Sequence, residues 1–253
     1  MELIKKITSL NKQERFEKII SLIDRPYIIQ EKIVKDENPF AEMFKKYKLD
    51  MDSDELQGFD FSIFDSKKEY HVRNIIIPAK SGTSKMTFMA HWDLYPGSLG
   101  YNDNSSSVSS LLKIQNYVHD DMTIVFTDFE ESFGIGSQLY CDNLENQWEI
   151  IINLDVCGFG ENIFIDMNGW SFDEIDIPTN FISYEGVPFN DSHITSDNGF
   201  QSLLLVTGNS SKTLIGDIFD LQHGGKFDND LTKLNQPILD KVETFLKGII
   251  DSN

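Results

Sequence analysis

Two adjacent glutamates follow an apolar segment in the middle of the chain. The segment 122–127 reads Met-Thr-Ile-Val-Phe-Thr and predicts a buried strand, and Glu130 and Glu131 come shortly after it. Carboxylates just beyond the carboxyl end of a strand in an α/β sheet lie where ligands usually bind. Taken alone, the two glutamates fit equally well the first turn of a solvated helix, where acidic residues are favoured. The other polar residues of the chain must decide between these interpretations.

Two further predicted strands also lead into groups that can bind a metal ion. The strand 85–90 runs into His91 and Asp93, and the strand 149–154 is followed by Asp155. A two-metal hydrolytic site needs nitrogen and oxygen ligands, a carboxylate that bridges the metals and another carboxylate that moves protons. The recurrence of such groups at strand ends therefore favours a metal-dependent hydrolase over a mere helix start.

Asp103 and His223 extend this candidate set from loops. Asp103 is the centre of an Asn-Asp-Asn sequence before a serine-rich predicted helix, and His223 lies in a polar segment before the last helix. His91 and Asp93 have the i, i+2 spacing that places two side chains on one face of an extended segment, so Asp93 can orient His91. Trp92 between them points to the opposite face and is expected to pack in the core.

The pattern from residue 71 onward alternates strands and helices. Predicted strands cover residues 72–77, 85–90, 122–127, 149–154, 163–167 and 203–206, and predicted helices cover 105–118, 136–144 and 231–250. The strands are almost continuously apolar, which indicates a sheet that is covered on both faces. We therefore predict an α/β fold, a three-layer α/β/α sandwich with a central mixed, mostly parallel sheet.

The N-terminal part has a different pattern. Apolar residues recur at helical spacing over residues 2–22, which predicts an amphipathic helix or a broken pair of helices. A further short helix is predicted at 40–47, and a loop or edge hairpin at 49–69. We predict a single catalytic domain over residues 1–253, in which 1–50 form a helical extension packed on the remainder.

The composition narrows the class of partner. The chain has 253 residues, a formal net charge of −19 and a pI near 4.5. Such a charge repels nucleic acid and anionic membranes, so neither is expected as a partner. Two cysteines without CxxC spacing, an N-terminus that soon becomes polar and no apolar run of about 18 residues predict a cytoplasmic protein with reduced thiols.

The ordered motifs resemble those of the co-catalytic zinc aminopeptidases. This group is similar to aminopeptidase Y and, more distantly, to glutamate carboxypeptidase II and glutaminyl cyclase. The resemblance covers roughly residues 70–250. It is carried by His-x-Asp at 91–93, Asn-Asp-Asn at 102–104, Asp-x-Glu-Glu at 128–131, Asn-Leu-Asp at 153–155 and the late His223.

The resemblance implies a centre with two zinc ions. His91 and Asp155 would bind one ion, Glu131 and His223 would bind the other, and Asp103 would bridge them. Manganese or cobalt would fit the same ligands.

The resemblance also implies an activity. Glu130 would be the general base that takes a proton from the attacking water held between the metals, and Asp93 would orient His91. The implied substrates are peptides with a free N-terminus, from which N-terminal residues are hydrolysed.

Several positions depart from the family pattern near the expected substrate pocket. Asp191 falls where the family has an aspartate beside the pocket, but the histidine that usually follows is shifted by one position to His193. Phe133 stands where glycine is usual. Phe133 and Tyr101 are candidate pocket residues, although core or loop aromatics would look the same in the sequence.

Two other functions remain open. Glutaminyl cyclases have a similar fold, but they use one zinc ion and cyclise an N-terminal glutamine. A silent binding module on this scaffold is the third possibility, and the retention of Glu130 with every ligand argues against it. The short spacing from Glu131 to Gly136 favours the peptidase.

Overall fold

The computed structural model describes residues 1–8, 10–35, 69–132, 134–144, 149–171, 175–187, 189–220 and 228–253. The helix predicted at 40–47 and the loop or hairpin predicted at 49–69, up to residue 68, lie outside the described residues. Across the described parts of the chain, the helices are too short or too polar to span a lipid bilayer.

Within these residues, eight strands form one mixed sheet with the order β1-β2-β4-β3-β5-β8-β6-β7. The four central strands β4, β3, β5 and β8 are parallel, whereas β1, β2 and β6 join the sheet by antiparallel pairs. The short strand β7 pairs with β6 in parallel. The strands are β1 (Ile28–Lys35), β2 (Glu69–Ile77), β3 (Met86–His91), β4 (Met122–Thr127), β5 (Ile150–Leu154), β6 (Asn162–Asp166), β7 (Ile182–Ser183) and β8 (Gln201–Gly208).

Helices cover both faces of the sheet. Helices α1, α2, α3 and α7 pack on one face in the largest apolar cluster, while α4, α5 and α6 lie on the other face. The helices are α1 (Glu2–Ile7), α2 (Lys12–Ile20), α3 (Ser105–Ile114), α4 (Ile135–Cys141), α5 (Asp191–Asp197), α6 (Leu214–Asp220) and α7 (Gln236–Ser252), and α7 follows a 3-10 turn at Leu231–Lys233. The predicted three-layer α/β/α sandwich is confirmed.

Successive residues of the central strands face opposite layers, as the strand period requires. Phe88 and Ile124 belong to the cluster under α3 and α7, whereas their neighbours Met89 and Val125 belong to the cluster under α4. All six residues of β3 and all six of β4 are buried. This two-sided burial explains why the central strands have continuous apolar runs in the sequence.

The N-terminal segment is only partly helical. Two short helices form rather than a single amphipathic helix, and α2 begins with a capping box. The Asn11 side chain accepts a hydrogen bond from Glu14 N at 3.0 Å, and Glu14 Oε2 accepts one from Asn11 N at 3.2 Å. Residues 28–35 form the edge strand β1, paired antiparallel with β2, so the prediction of a helical extension is wrong for these residues. The reason is that β1 lies at the edge with Ile28 and Ile33 both 55% exposed, and its sequence lacks the regular alternation of a half-buried strand.

A buried carboxylate lies on β5's amino-terminal side, beside the start of β3. Glu149 is 1% exposed, and its Oε1 accepts hydrogen bonds from the hydroxyls of Thr87 and Tyr140. Burial raises the pKa of Glu149. The folded protein therefore favours the neutral carboxyl group. That contribution to stability is present below the unfolded pKa of about 4.3 and is lost as pH rises through the raised folded pKa.

Glu149→Gln is accordingly expected to stabilise the protein by about 1 kcal/mol at pH 8, because the buried charge is removed. The gain should shrink towards pH 5, where the wild-type carboxyl is increasingly neutral. Urea unfolding at both pH values measures the difference, with the exposed Glu185→Gln as control. A gain that is the same at both pH values would show that the buried charge is not its cause.

Candidate metal centre

The predicted ligands meet at the carboxyl edge of the central parallel strands. His91 is the last residue of β3 and pairs in register with Thr127, the last residue of β4. The turn with Glu130 and Glu131 follows β4, and Asp155 follows β5. Because these three strands are parallel and adjacent, their carboxyl ends bring the polar residues to one place.

His91 lies at the centre of the cluster. Its Nε2 atom is 3.0 Å from Asp103 Oδ1, 3.5 Å from Asp155 Oδ1 and 4.0 Å from Glu130 Oε2. One ligand atom each from His91, Asp103 and Glu131 also lie within 4.8 Å of one another. All five side chains are buried. The structure thus brings together five of the six residues predicted as metal ligands or general base.

The sixth of these residues, His223, lies outside the described residues, as does the pocket candidate Phe133. The first described residue after His223 in sequence is Asp228, whose side chain contacts the Asp103 loop. The assignment of His223 as a ligand stays a prediction.

The donor set fits a divalent transition metal. An imidazole nitrogen and several carboxylate oxygens within a few ångströms are the ligands that zinc, manganese and cobalt share. Burial raises the pKa of Glu130 and Glu131 well above their usual value, and nearby carboxylates raise it further. So many buried acids need compensating positive charge, which metal ions would supply.

His91 would exchange a proton for a metal ion. Burial lowers the pKa of His91, but the carboxylates of Asp103, Asp155 and Asp93 outweigh it and raise the pKa well above the ordinary value. A metal ion and a proton compete for the same nitrogen, so metal binding at His91 should release a proton.

Asp93 contacts both halves of the cluster. Its Oδ1 atom is 3.4 Å from His91 Nδ1, the arrangement expected from the i, i+2 spacing. Its carboxylate also accepts hydrogen bonds from the backbone N–H groups of Glu130 at 3.2 Å and Glu131 at 3.3 Å. One carboxylate therefore holds the histidine of β3 and the acidic turn after β4 together.

Asp93→Asn is expected to weaken metal binding about 10- to 100-fold, because an amide cannot accept from both N–H groups and also polarise the imidazole. Competition with a chromophoric chelator measures the zinc dissociation constant. The exposed Asp176→Asn serves as the matched control. Equal affinities for the two variants would rule out a role of Asp93 in holding the ligands.

Asp128, just before the two glutamates, fixes the acidic turn. Its buried carboxylate lies 2.7 Å from Lys12 Nζ and accepts from the backbone N–H groups of Arg73 and Phe129, both at 3.0 Å. Phe129 has a φ of 58°, which is uncommon for an aromatic residue, and Lys12 Nζ lies 3.3 Å from its ring centroid. Helix α4 then approaches so closely that a Cβ atom on Gly136 would overlap the backbone of Asp128.

Asp228 is a residue that the sequence did not reveal. It is fully buried, and its Oδ1 accepts from the backbone N–H groups of Asn102 at 2.9 Å and Asp103 at 3.1 Å. Its Oδ2 accepts from the hydroxyl of Ser98. Asp228 therefore fixes the loop that presents Asp103. In the sequence, Asp228 is marked only by its position shortly after His223. That position does not indicate that its side chain binds the loop of Asn102 and Asp103.

Asp191 lies beside the cluster, at the start of α5. It is fully buried, and the hydroxyl of Thr127 donates to its Oδ2 at 2.6 Å. Burial raises the pKa of Asp191 to about 6. On the same helix, the ring of His193 stacks with Phe189 at a centroid distance of 6.0 Å. A role of Asp191 in substrate binding stays a prediction.

The two aromatic residues near the ligands pack in apolar clusters. Trp92 is fully buried, as predicted, and lies 5.3 Å from the ring of Phe16. Tyr101 packs against the cluster of Ile4, Leu234 and Leu239. This contact gives Tyr101 a packing role, and its predicted contact with substrate stays a prediction.

Comparisons with known proteins agree with this fold. Residues 74–174 match the sequence model of Peptidase family M28. No protein with curated annotation matches the chain.

Solved structures of low sequence identity share the fold. The glutaminyl cyclase of Porphyromonas gingivalis has a TM-score of 0.71 at 18% identity, covering 99% of this chain and 94% of its own. A Zn-dependent exopeptidase from Parabacteroides distasonis has a TM-score of 0.64 at 15% identity, covering 100% and 95%. The zinc aminopeptidase BSAP from Bacillus subtilis has a TM-score of 0.57 at 18% identity, covering 74% and 50%.

The family match spans β3, β4 and β5 and includes every proposed ligand except His223. The structural neighbours are zinc aminopeptidases, a zinc exopeptidase and glutaminyl cyclases. The motif resemblance is thereby confirmed: this chain resembles the co-catalytic zinc peptidases of family M28.

Proposed function

We propose that this protein is a zinc-dependent aminopeptidase that removes N-terminal residues from peptides with two metal ions. The observation that carries the proposal is the position of Asp103. Its Oδ1 atom lies 3.0 Å from His91 Nε2, and one ligand atom each from His91, Asp103 and Glu131 lie within 4.8 Å of one another, which supports Asp103 as the carboxylate that the two metals would share. His91 and Asp155 would hold one metal ion, and Glu131 with the predicted ligand His223 would hold the other.

The metals, when bound, would supply Lewis acidity and lower the pKa of the attacking water. Glu130 would take the proton of that water and pass it to the leaving amine. Glu130 Oε2 lies 4.0 Å from His91 Nε2, farther than Asp103 Oδ1 at 3.0 Å. Glu130 is thus near the predicted ligands without the closest contact to His91, which suits a group that moves protons. Asp93 would hold Glu130 in place through the backbone hydrogen bond to its N–H group.

The acidic surroundings also suit the substrate. A peptide's free N-terminus can carry a positive charge, which would favour the ionised forms of the buried carboxyl groups of Glu130 and Asp191 at this edge of the sheet. Charge complementarity in a buried site favours a substrate with a free amine over a blocked one. This supports an exopeptidase acting at the N-terminus.

A glutaminyl cyclase is the second candidate. The observation that favours it is the extent of the structural match, since the Porphyromonas gingivalis enzyme aligns over almost the full length of both chains. The Bacillus subtilis aminopeptidase is matched over only half of its own length. Both candidates act on a free peptide N-terminus, and they differ in the number of metal ions and in the reaction.

Metal analysis combined with a substrate panel separates the candidates. The purified protein is assayed for bound zinc, for cleavage of Leu-, Met-, Ala- and Glu-anilides, and for cyclisation of an N-terminal glutaminyl peptide. Two metals with anilide cleavage are the expected result. One metal with cyclisation would replace the proposal by the second candidate. Absence of both metal and turnover would indicate a silent binding module.

A further inference from the structure

A fully buried arginine from the N-terminal part lies directly behind the candidate metal centre. Arg15 is in α2, well before the residues that match the family model, and none of its side chain is exposed. Its guanidinium donates from Nε to the carbonyl of Trp92 at 2.6 Å, and from Nη1 to the carbonyl of Ile7 at 2.5 Å and to Ser105 Oγ at 2.8 Å.

Two of these acceptors belong to the segments that carry metal ligands. Trp92 lies between His91 and Asp93, and Ser105 is the first residue of α3, two positions after Asp103. The donors of a guanidinium are fixed in one plane. A single rigid group therefore sets the distance between the end of β3 and the start of α3, and with it the spacing of His91 and Asp103.

The charge of Arg15 is balanced by the same cluster. Its direct acceptors are two carbonyl groups and a hydroxyl, and none of these carries a charge. Burial lowers the pKa of Arg15 to about 10, opposed by the carboxylates of Asp93, Asp228 and Asp103. The side chain stays charged at neutral pH, which a buried group tolerates only close to opposite charges.

Helix α2 is anchored at two further points, so Arg15 is held in place. Lys12 Nζ contacts the buried Asp128 at 2.7 Å, and Phe16 packs on Trp92 with ring centroids 5.3 Å apart. These contacts reach the acidic turn and the segment after β3. The helix is therefore attached to the back of the metal centre on both sides of Arg15.

We propose that Arg15 is a positioning residue of the metal centre, which holds His91 and Asp103 at the spacing that metal binding requires. This inference rests on the proposed function in one respect only, because it takes these two residues to be metal ligands. The alternative is that Arg15 merely fastens α2 to the domain and affects overall stability alone.

Two substitutions separate geometry from charge. Arg15→Lys keeps the positive charge and loses the planar fork, whereas Arg15→Met loses both. If Arg15 acted only through its charge, Arg15→Met would bind a cation more tightly, since a nearby positive charge is removed. If it positions the ligands, both variants bind more weakly. Ser105→Ala removes a single hydrogen bond and serves as a milder third variant.

The experiment measures zinc affinity by chelator competition and the visible absorption spectrum of the cobalt-loaded full chain. Arg15→Lys and Arg15→Met should bind about 10- to 100-fold more weakly than the wild type, with altered cobalt bands. Ser105→Ala should show a smaller loss of the same kind. Lys18→Met, a change on the same helix outside these contacts, should match the wild type.

Circular dichroism establishes that each variant is folded. Wild-type affinity and spectrum in the folded variants, even with a lower melting temperature, would overturn the inference and leave Arg15 a purely stabilising residue. If the Arg15 variants do not fold, Ser105→Ala decides in the same way. A wild-type protein that binds neither zinc nor cobalt would instead overturn the proposed function, so the two failures are distinguishable.

Discussion

Glu130→Gln should reduce turnover about 10²- to 10⁴-fold, the range for a general acid–base group, and leave the bound metal nearly unchanged. The substitution keeps the size of the side chain and removes its ability to accept a proton. Metal binding should persist because the closer contacts of His91 Nε2 are to Asp103 at 3.0 Å and Asp155 at 3.5 Å, with Glu130 at 4.0 Å.

The measurement pairs kcat on the best substrate with the zinc content of the same preparation. Glu185→Gln, an exposed change of the same chemistry, is the control. Because hydrolysis and cyclisation both need a proton to be moved, the loss is expected for either reaction. A variant that retains near-normal kcat would remove Glu130 from the mechanism, and a variant that loses its zinc would make Glu130 a ligand.

The central strands and their polar ends could be predicted because the information is local. The apolar run 122–127 matches β4 residue for residue, and 85–90 differs from β3 by one position at each end. Once neighbouring strands are taken as parallel, their carboxyl ends must meet, so His91, Glu131 and Asp155 had to lie close together. Position in the sequence was sufficient for this part of the site.

The supporting contacts could not be predicted because they join distant parts of the chain. Arg15 donates to a carbonyl 77 positions away, and Asp228 accepts from Asp103 across 125 positions. In the sequence, Arg15 looks like any charged residue of an amphipathic helix, and only the fold shows that its side chain is buried. Asp228 likewise resembles the many surface acids of this strongly acidic chain.

Elements with weak local patterns were also missed. Helix α5 has seven residues of which only Ile194 is apolar, and the seven residues of α6 are interrupted by Gly216, so neither shows a helical period, and the edge strand β1 lacks a regular alternation. Within the described residues, β1 has β2 as its single neighbouring strand. Its side chains are therefore less buried, and the alternation of apolar and polar residues is less strict. Short length and edge position thus limit what the sequence alone can show.

Asp103→Asn should weaken metal binding more than any of the other substitutions. In the metal-free protein, the same substitution should keep or raise the stability. Asp103 is the carboxylate predicted to bridge, so an amide there should weaken both metal positions and abolish turnover. In the metal-free protein, burial and then the carboxylate of Asp103 raise the pKa of Glu131, which shows how closely the negative charges are crowded. Removing one of them relieves repulsion among buried acids, and this relief should at least offset the loss of the contact between Asp103 Oδ1 and His91 Nε2 at 3.0 Å.

Thermal unfolding with and without zinc tests both effects in one series. Wild-type protein should gain several degrees in Tm when zinc is added, since a ligand that binds only the folded state stabilises it. Asp103→Asn should melt at or above the wild-type temperature in a chelator and gain little from zinc. The backbone hydrogen bond from residue 103 to Asp228 remains available in the variant, so the loop should keep its position.

A variant that loses stability in the chelator would mean that Asp103 is needed for folding. A variant that retains the full zinc shift would mean that the metals are held without a bridging carboxylate.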